Sequence, residues 1–438
     1  MSATINHSLH NAFLSLDHDE LARVLTTTEN VLIIQDLDGV CMGLVKDPLT
    51  RVINPDYVKA TQAFDNHFFV LTNGEHIGKR GVNSIIERAF GDRATVQNNN
   101  NYLPGLAAGG VQWQNRAGEV SHPGVSEAEL NFLEAIPNRF RSAFRNFFSK
   151  HEGILDAETL NHCIESSVLD NVASPTANLN TFYEVLSPQH IGTYRNLQLN
   201  IQALTTELLH DAEGQGLEGS FFVHYAPNLG RNASGNEVLL PASDGDSGTT
   251  DFQFMLRGAI KEAGVLALLN RYYHHRTGSY PLGEDFSVRQ APKSHAELLE
   301  LVKNNFDPAQ MPLIVGVGDT VTSNVDDQDG KLEIRRGGSD RNFLYLIQEI
   351  GKITNTGNIV VYIDSSGGEV KNRKPLKLSD SNPPTVLEGP GDSRDQSDPL
   401  VLNVAFPGGY QQYADFFIAI ASSQLSVNSH QSTASKGQ

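Results

Sequence analysis

Cysteine is nearly absent from this sequence: Cys41 and Cys163 are the only two among 438 residues. Two thiols form neither a disulfide framework nor a zinc-binding pattern, so both are expected to be ordinary buried side chains in a reducing cytoplasm. Long apolar runs are also missing. Nothing approaches the roughly 20 residues of a membrane span, and the polar start MSATINHSLHN lacks the charged-then-apolar order of a secretory signal. The expectation is a soluble protein with no membrane partner. Basic residues are in deficit, 33 Lys and Arg against 51 Asp and Glu, for a formal net charge of -18. That balance argues against nucleic acid as a partner, because a phosphate backbone attracts clustered cations that are not found here. A diffuse acidic surface favours solubility instead.

What the sequence does have is a set of short apolar runs that stop at polar residues. VLIIQDLDGV, residues 31–40, reads as a buried strand ending at two carboxylates, and the strand period of two sends Asp36 and Asp38 out on the same side. HFFVLTNGE ends its apolar run at Thr72, and MPLIVGVGDTV ends at Asp319. Three such endings fit parallel strands that deliver their carboxyl ends to one crevice, the arrangement of a doubly wound α/β sheet. NIVVYIDSS and LVLNVAF read as further strands. Residues 11–30 and 55–66 read as helices, 378–399 as a loop rich in Pro, Gly, Ser and Asp, and about 408–422 as a final helix.

Length suits more than one domain. The expected division is a core formed by residues 1–74 and 293–422, an inserted cap domain at 75–292, and a disordered tail at 423–438. The insertion is placed after the second strand because the 33 residues between Asp38 and Thr72 hold only a helix and a turn.

These residues together suit phosphoryl chemistry, which needs a nucleophile, a proton donor, a cation and hydrogen-bond donors for the phosphoryl oxygens. Asp36 is the candidate nucleophile. Asp38 is the candidate acid and base for the leaving group and the attacking water. Asp36 and Asp319 offer hard oxygens for Mg²⁺. Thr72 offers a hydroxyl, and the turn at Asn73 and Gly74 offers amides. Glu75 and His76 follow, placed to meet a leaving group. Each has a plainer reading as well: Asp and Gly end many strands, Thr72 could cap a helix, and Glu75 with His76 could be an exposed pair.

The motifs resemble those of the haloacid-dehalogenase-like phosphatases: D-x-D as Asp36-Leu37-Asp38, Thr72 in LTNG, Lys293 in APKSHAELLELV, and Gly318-Asp319. The resemblance implies a Rossmann-like core with an α+β C2-type cap, Mg²⁺ as cofactor, and Lys293 as the catalytic lysine, with Lys303 as the alternative. It implies a metal site of Asp36, Asp38 and Asp319, to which Asn324 is added where the motif wants a second acid. A rival fourth motif in DGDSGTTD, residues 244–251, is set aside because no lysine lies between Lys150 and Lys261 and Pro241 spoils a preceding strand. That segment is read as a polar cap loop, with Asp246 facing a sugar or simply solvent. QDLDGVCMGLVKDPLTR, FVLTNGEHIGKRGVN and VGVGDTVTS are similar to the glucosylglycerol-phosphate phosphatase family of salt-tolerant bacteria. On that resemblance the substrate is glucosylglycerol 3-phosphate, with a functional link to the synthase that makes it. The alternatives are a sucrose or trehalose phosphate phosphatase, a phosphomutase, or a non-catalytic phosphosugar sensor.

Overall fold

The computed structural model describes residues 7–45, 48–231, 237–243, 245–328, 331–370 and 373–434. They divide between two compact units: those within 1–76, 82–124 and 260–438 form the larger, and those within 77–81 and 125–259 form the smaller.

An eight-stranded sheet organises the larger unit. Val31–Gln35 lies at its centre, with Phe68–Leu71 and then Gly105–Ala107 parallel on one side. Leu313–Gly318, Ile359–Ile363 and Val404–Phe406 follow in parallel on the other side. Gln112–Gln114 and Val120–Ser121 extend one edge antiparallel. The strand order therefore runs outward from Val31–Gln35 in both directions, which makes its junction with Leu313–Gly318 the point where the winding reverses. In open α/β sheets a crevice opens beyond the strand carboxyl ends at that reversal.

Both faces of the sheet are covered, so its central strands read as continuous apolar runs without alternation. Val31, Ile33, Val315, Val317 and Val361 point into a core shared with the helices His18–Thr27 and Gly409–Ala434. Their neighbours Leu32, Ile34, Ile314 and Val360 point into a second core under Lys261–Thr277, His295–Asn305 and Arg341–Thr354.

The smaller unit is α+β. It contains Glu127–Phe148, Ala157–Ser167 and Asn180–Gly214 as helices, with a four-stranded antiparallel sheet ordered Val168–Leu169, Thr176–Asn178, Asp251–Leu256, Phe221–Ala226. Ser126 and Glu129 close a capping box at the start of the first helix. Phe140, Phe144, Phe182, Phe252 and Phe254 are fully buried at its centre.

The boundaries differ from the expected ones at both ends. Residues 82–124 belong with the large sheet, and so does 260–292, so the expected 75–292 cap is too wide. Strands of two or three residues carry too little apolar signal to announce themselves, and the Lys261–Thr277 helix earns its place by packing on the sheet. The loop at 378–399 includes the short strand Val386–Glu388, paired with Lys377–Leu378. The final helix continues to Ala434, through most of the segment expected to be disordered, and 435–438 lie outside the described residues. The expected helix at 11–30 is confined to His18–Thr27.

Candidate active site

Register brings the strand-end residues level with one another. Gln35 pairs with Val317 on one side and Val70 on the other, so Asp319 and Thr72 each stand two residues beyond a partner of Gln35. Asp36 is tied to this row by its amide, which donates to the Val317 carbonyl at 2.9 Å. Below it the Gln35 side chain is fully buried, accepting from the Tyr57 and Tyr413 hydroxyls at 2.8 and 3.0 Å and donating to the Asp36 carbonyl at 3.2 Å. Satisfied buried networks of this kind hold a backbone in one arrangement.

Lys261 is the central cation. Its Nζ lies 2.9 Å from Asp36 Oδ2 and 2.8 Å from Asp340 Oδ1, and the three side chains are all buried. Asp340 turns its other oxygen to the amides of Asp319 and Thr320, each at 3.0 Å. It thereby fastens the turn that carries Asp319. Asp319 Oδ1 accepts from the Thr320 hydroxyl at 2.9 Å, while Oδ2 is buried with no hydrogen-bond partner.

Two glycines make this crowding possible. Gly39 has a φ of +80°, and a Cβ there would lie 2.2 Å from Asp319 Oδ2. A Cβ on Gly318 would lie 2.8 Å from Asp340. Each is a place where only a missing side chain allows the approach.

Oxygens of Asp36, Asp319 and Asp340 lie within 4.8 Å of one another, and among the described residues this is the group of acids able to hold a metal ion. Three carboxylates and one ammonium leave a surplus of two negative charges in a buried place. Burial first, then repulsion from Asp340, raises Asp36 to about 7 against the pull of Lys261. Asp319 is raised well above the carboxylate range by burial and by its neighbours Asp340 and Asp36. Asp340 goes the other way: burial opposes ionisation, but Lys261 and the two amides outweigh it. A divalent cation fits this donor set, because hard oxygens suit it and its charge equals the surplus.

Asp38 stands apart from that group. Its carboxylate is 3.0 Å from Arg51 Nε, both side chains about one quarter exposed, so it forms a locally neutral pair. Burial still raises its pKa, against the opposing charge of Arg51.

The sequence-predicted residues divide clearly. Asp36, Asp38, Thr72 and Asp319 gather at the sheet's reversal point. Thr72 is buried and its hydroxyl accepts from the Gly74 amide at 3.2 Å, leaving Asn73 exposed at the tip of the turn. Lys293 does not make the contact expected of it: its Nζ donates to the Val288 carbonyl at 2.9 Å, and Lys261 holds Asp36 instead. Asn324 is exposed on the hairpin Thr322–Gln328/Lys331–Gly337, paired opposite Arg335, and Asp340 takes the place assigned to it. The carboxylate of Asp38 is likewise outside the metal-capable group. His76 is sealed in the interior with Nε2 3.1 Å from the Gly105 carbonyl, and burial lowers its pKa to about 4. Glu75 is also buried, 3.4 Å from the Gln112 amide nitrogen, so neither faces outward toward a leaving group. Asp246, in the smaller unit, is exposed in a turn where its carboxylate accepts from the Gly248 amide at 2.9 Å; neighbouring Asp244 lies outside the described residues.

Lys261 and Asp340 were the residues missed. The available signals were a lysine at the start of an apolar helix and an Asp immediately before another, but each is common alone.

Among solved structures, trehalose-6-phosphate phosphatase from Aspergillus fumigatus aligns with the chain at 10% identity and a TM-score of 0.38, and the C-terminal domain of C. albicans trehalose-6-phosphate phosphatase at 10% identity and 0.42. Each alignment covers 94% of this chain and 99% of the other. A glucosylglycerol-phosphate phosphatase from Synechocystis sp. is 61% identical over 412 residues, 93% of this chain and 96% of that one. The glucosylglycerol-phosphate phosphatase family model matches residues 30–421. With that match spanning the carboxylates, Lys261 and both units, the chain belongs to the glucosylglycerol-phosphate phosphatase family and is a phosphatase.

Proposed function

We propose that this phosphatase hydrolyses glucosylglycerol 3-phosphate to glucosylglycerol and phosphate in osmolyte synthesis, through an aspartyl-phosphate on Asp36. The observation that carries the mechanism is the buried surplus of negative charge around Asp36, held in place by Lys261. An Asp36 oxygen attacks phosphorus and the bond to the substrate alkoxide breaks. Asp38 gives that alkoxide its proton, then takes one from the water that cleaves the acyl phosphate, so one residue serves both half-reactions. Its partial exposure beside Arg51 supports contact with solvent and leaving group. Lys261 orients Asp36, and Asp340 orients Lys261. The Thr72 hydroxyl and the Asn73 amide beside it hold phosphoryl oxygens.

Asp36, Asp319 and Asp340 would hold Mg²⁺, which supplies charge neutralisation for the phosphoryl group when bound. The substrate assignment rests on family membership and on the 61% identical relative. A cytoplasmic location and a working link to an enzyme producing the phosphate ester accompany this reading. Among the described residues no helix is long and apolar enough to cross a membrane.

Phosphate release from glucosylglycerol 3-phosphate, glycerol 3-phosphate, sucrose phosphate and trehalose phosphate, with Mg²⁺ and with chelator, tests the proposal. The expected result is the highest kcat/KM for glucosylglycerol 3-phosphate and no turnover in chelator. Equal kcat/KM for glycerol 3-phosphate would remove the glucosyl group from the reading, and full activity in chelator would remove the metal.

A further inference from the structure

The hydroxyl of Thr320 stands between a cation and one acid of the metal-capable group. It donates to Asp319 Oδ1 at 2.9 Å and accepts from Arg373 Nη2 at 3.1 Å. Those directions are forced. A guanidinium has donors only and a hydroxyl has a single proton, so a lone pair goes to Arg373 and the proton is left for Asp319. Each bond in such a chain polarises the next and strengthens it.

The chain is anchored on both sides. The Thr320 peptide is tied twice to Asp340, its amide donating to the carboxylate at 3.0 Å and its carbonyl accepting from the Asp340 amide at 3.2 Å. Gly338 leaves room for that return, since a Cβ there would lie 2.1 Å from the Thr320 carbonyl oxygen. On the other side, buried Asp364 follows the strand Ile359–Ile363 and accepts from the Leu376 amide at 2.8 Å, which fastens the segment that carries Arg373. The hydroxyl is held from two directions.

The consequence falls on Asp319. Its Oδ1 is committed to Thr320 while Oδ2 has no hydrogen-bond partner, so this acid is set to give a cation one oxygen. The ion's place is among the three acids, whose oxygens lie within 4.8 Å of one another. Mg²⁺ suits single-oxygen donors, because it demands a near-ideal octahedron and completes it with water and substrate oxygens. Ca²⁺ takes about six to eight oxygens and gains from a carboxylate that supplies two.

We infer that Arg373, acting through Thr320, is a positioning residue that limits Asp319 to one-oxygen coordination and so tilts the site toward Mg²⁺ and away from Ca²⁺. The inference rests on the reading of Asp36, Asp319 and Asp340 as the metal site.

The test titrates the full, metal-free chain with Mg²⁺ and with Ca²⁺ in a calorimeter, so turnover plays no part. Thr320→Val removes the hydroxyl at nearly constant shape, Thr320→Ser keeps it, and Arg373→Met removes the donor behind it. The quantity read is the Kd for Ca²⁺ divided by the Kd for Mg²⁺. Thr320→Val is expected to lower this ratio by about tenfold or more, the scale on which groups behind metal ligands act. Arg373→Met should shift it the same way by less, and Thr320→Ser should keep the wild-type ratio. A merely structural role would weaken both cations alike and leave the ratio in place. A wild-type ratio in either Thr320→Val or Arg373→Met overturns the inference. Asp319→Asn tells that failure from a deeper one: loss of Mg²⁺ binding in this variant upholds the metal site whatever the ratios show, whereas wild-type binding removes the site and the inference together.

Discussion

Two ion-pair clusters in the larger unit use the same chemical groups to opposite ends. Around the hairpin and the 386–402 segment, each acid has its base: Arg336 with Asp395, Arg394 with Asp392, Arg341 with Asp398. At the strand ends, three buried acids share one lysine. A balanced cluster needs nothing further, whereas an unbalanced buried one is stable only if a proton or cation completes it. The difference separates scaffold from site without reference to sequence position.

Breaking the unbalanced cluster should have the largest consequence. Asp36→Asn is expected to lower kcat by at least ~10³-fold with near-native circular dichroism, because the proposed nucleophile disappears without a change in volume. Retention of most activity would sink the covalent mechanism. Lys261→Met should follow closely, losing activity and about 3–5 kcal/mol of stability by leaving Asp36 and Asp340 without their counter-charge. Lys293→Met should leave kcat near wild type. The reverse outcome in a paired assay would restore Lys293 to the role that the sequence suggested.

A smaller effect tests the charge surplus itself. Because the folded protein holds Asp36 near 7, above its unfolded value of 3.8, the metal-free protein binds the extra proton when folded. That stabilisation is fully present below pH 3.8 and is lost as pH rises through 7, with a change on the order of a few kcal/mol. Subtracting the Asp36→Asn stability curve from wild type isolates it from His76, whose lowered pKa gives the opposite slope between 4 and 6.5. Added Mg²⁺ should flatten the difference. A difference curve already flat without metal would show that the surplus is neutralised in some other way.

Gly39→Ala probes the same place by steric means. The added methyl would overlap Asp319 Oδ2, so Mg²⁺ affinity should fall by about tenfold or more while the sheet survives. Unchanged metal activation in a titration would mean that Asp319 can move away freely. The smallest effect belongs to the balanced cluster: Asp395→Asn should lower Tm by only a few degrees and leave kcat/KM unchanged. A large loss of activity would show that the cluster does more than hold the hairpin.

Much of this site was legible in the chain because it is local. A short apolar run that ends at Asp36, another at Thr72 and a third at Asp319 each reflect one buried strand emerging at one edge, and periodicity reports that directly. The doubly wound order followed from the same endings. His76 was misread because the turn after Thr72 looks exposed in sequence, while its ring packs against the backbone of a three-residue strand too short to recognise.

Local pattern therefore determined the acids at the strand ends, the α/β class of the sheet and the existence of an insertion. Tertiary structure alone decided which lysine and which further acid complete the site. Asp340 lies 21 residues beyond Asp319 with a whole hairpin between them, and the two come together because that hairpin folds back on itself and Gly318 leaves room for the approach. Lys261 precedes Asp319 by an entire helix-rich stretch and arrives through the packing of its helix on the sheet. Spacing along a chain measures covalent distance, whereas buried charges select their partners by distance through space.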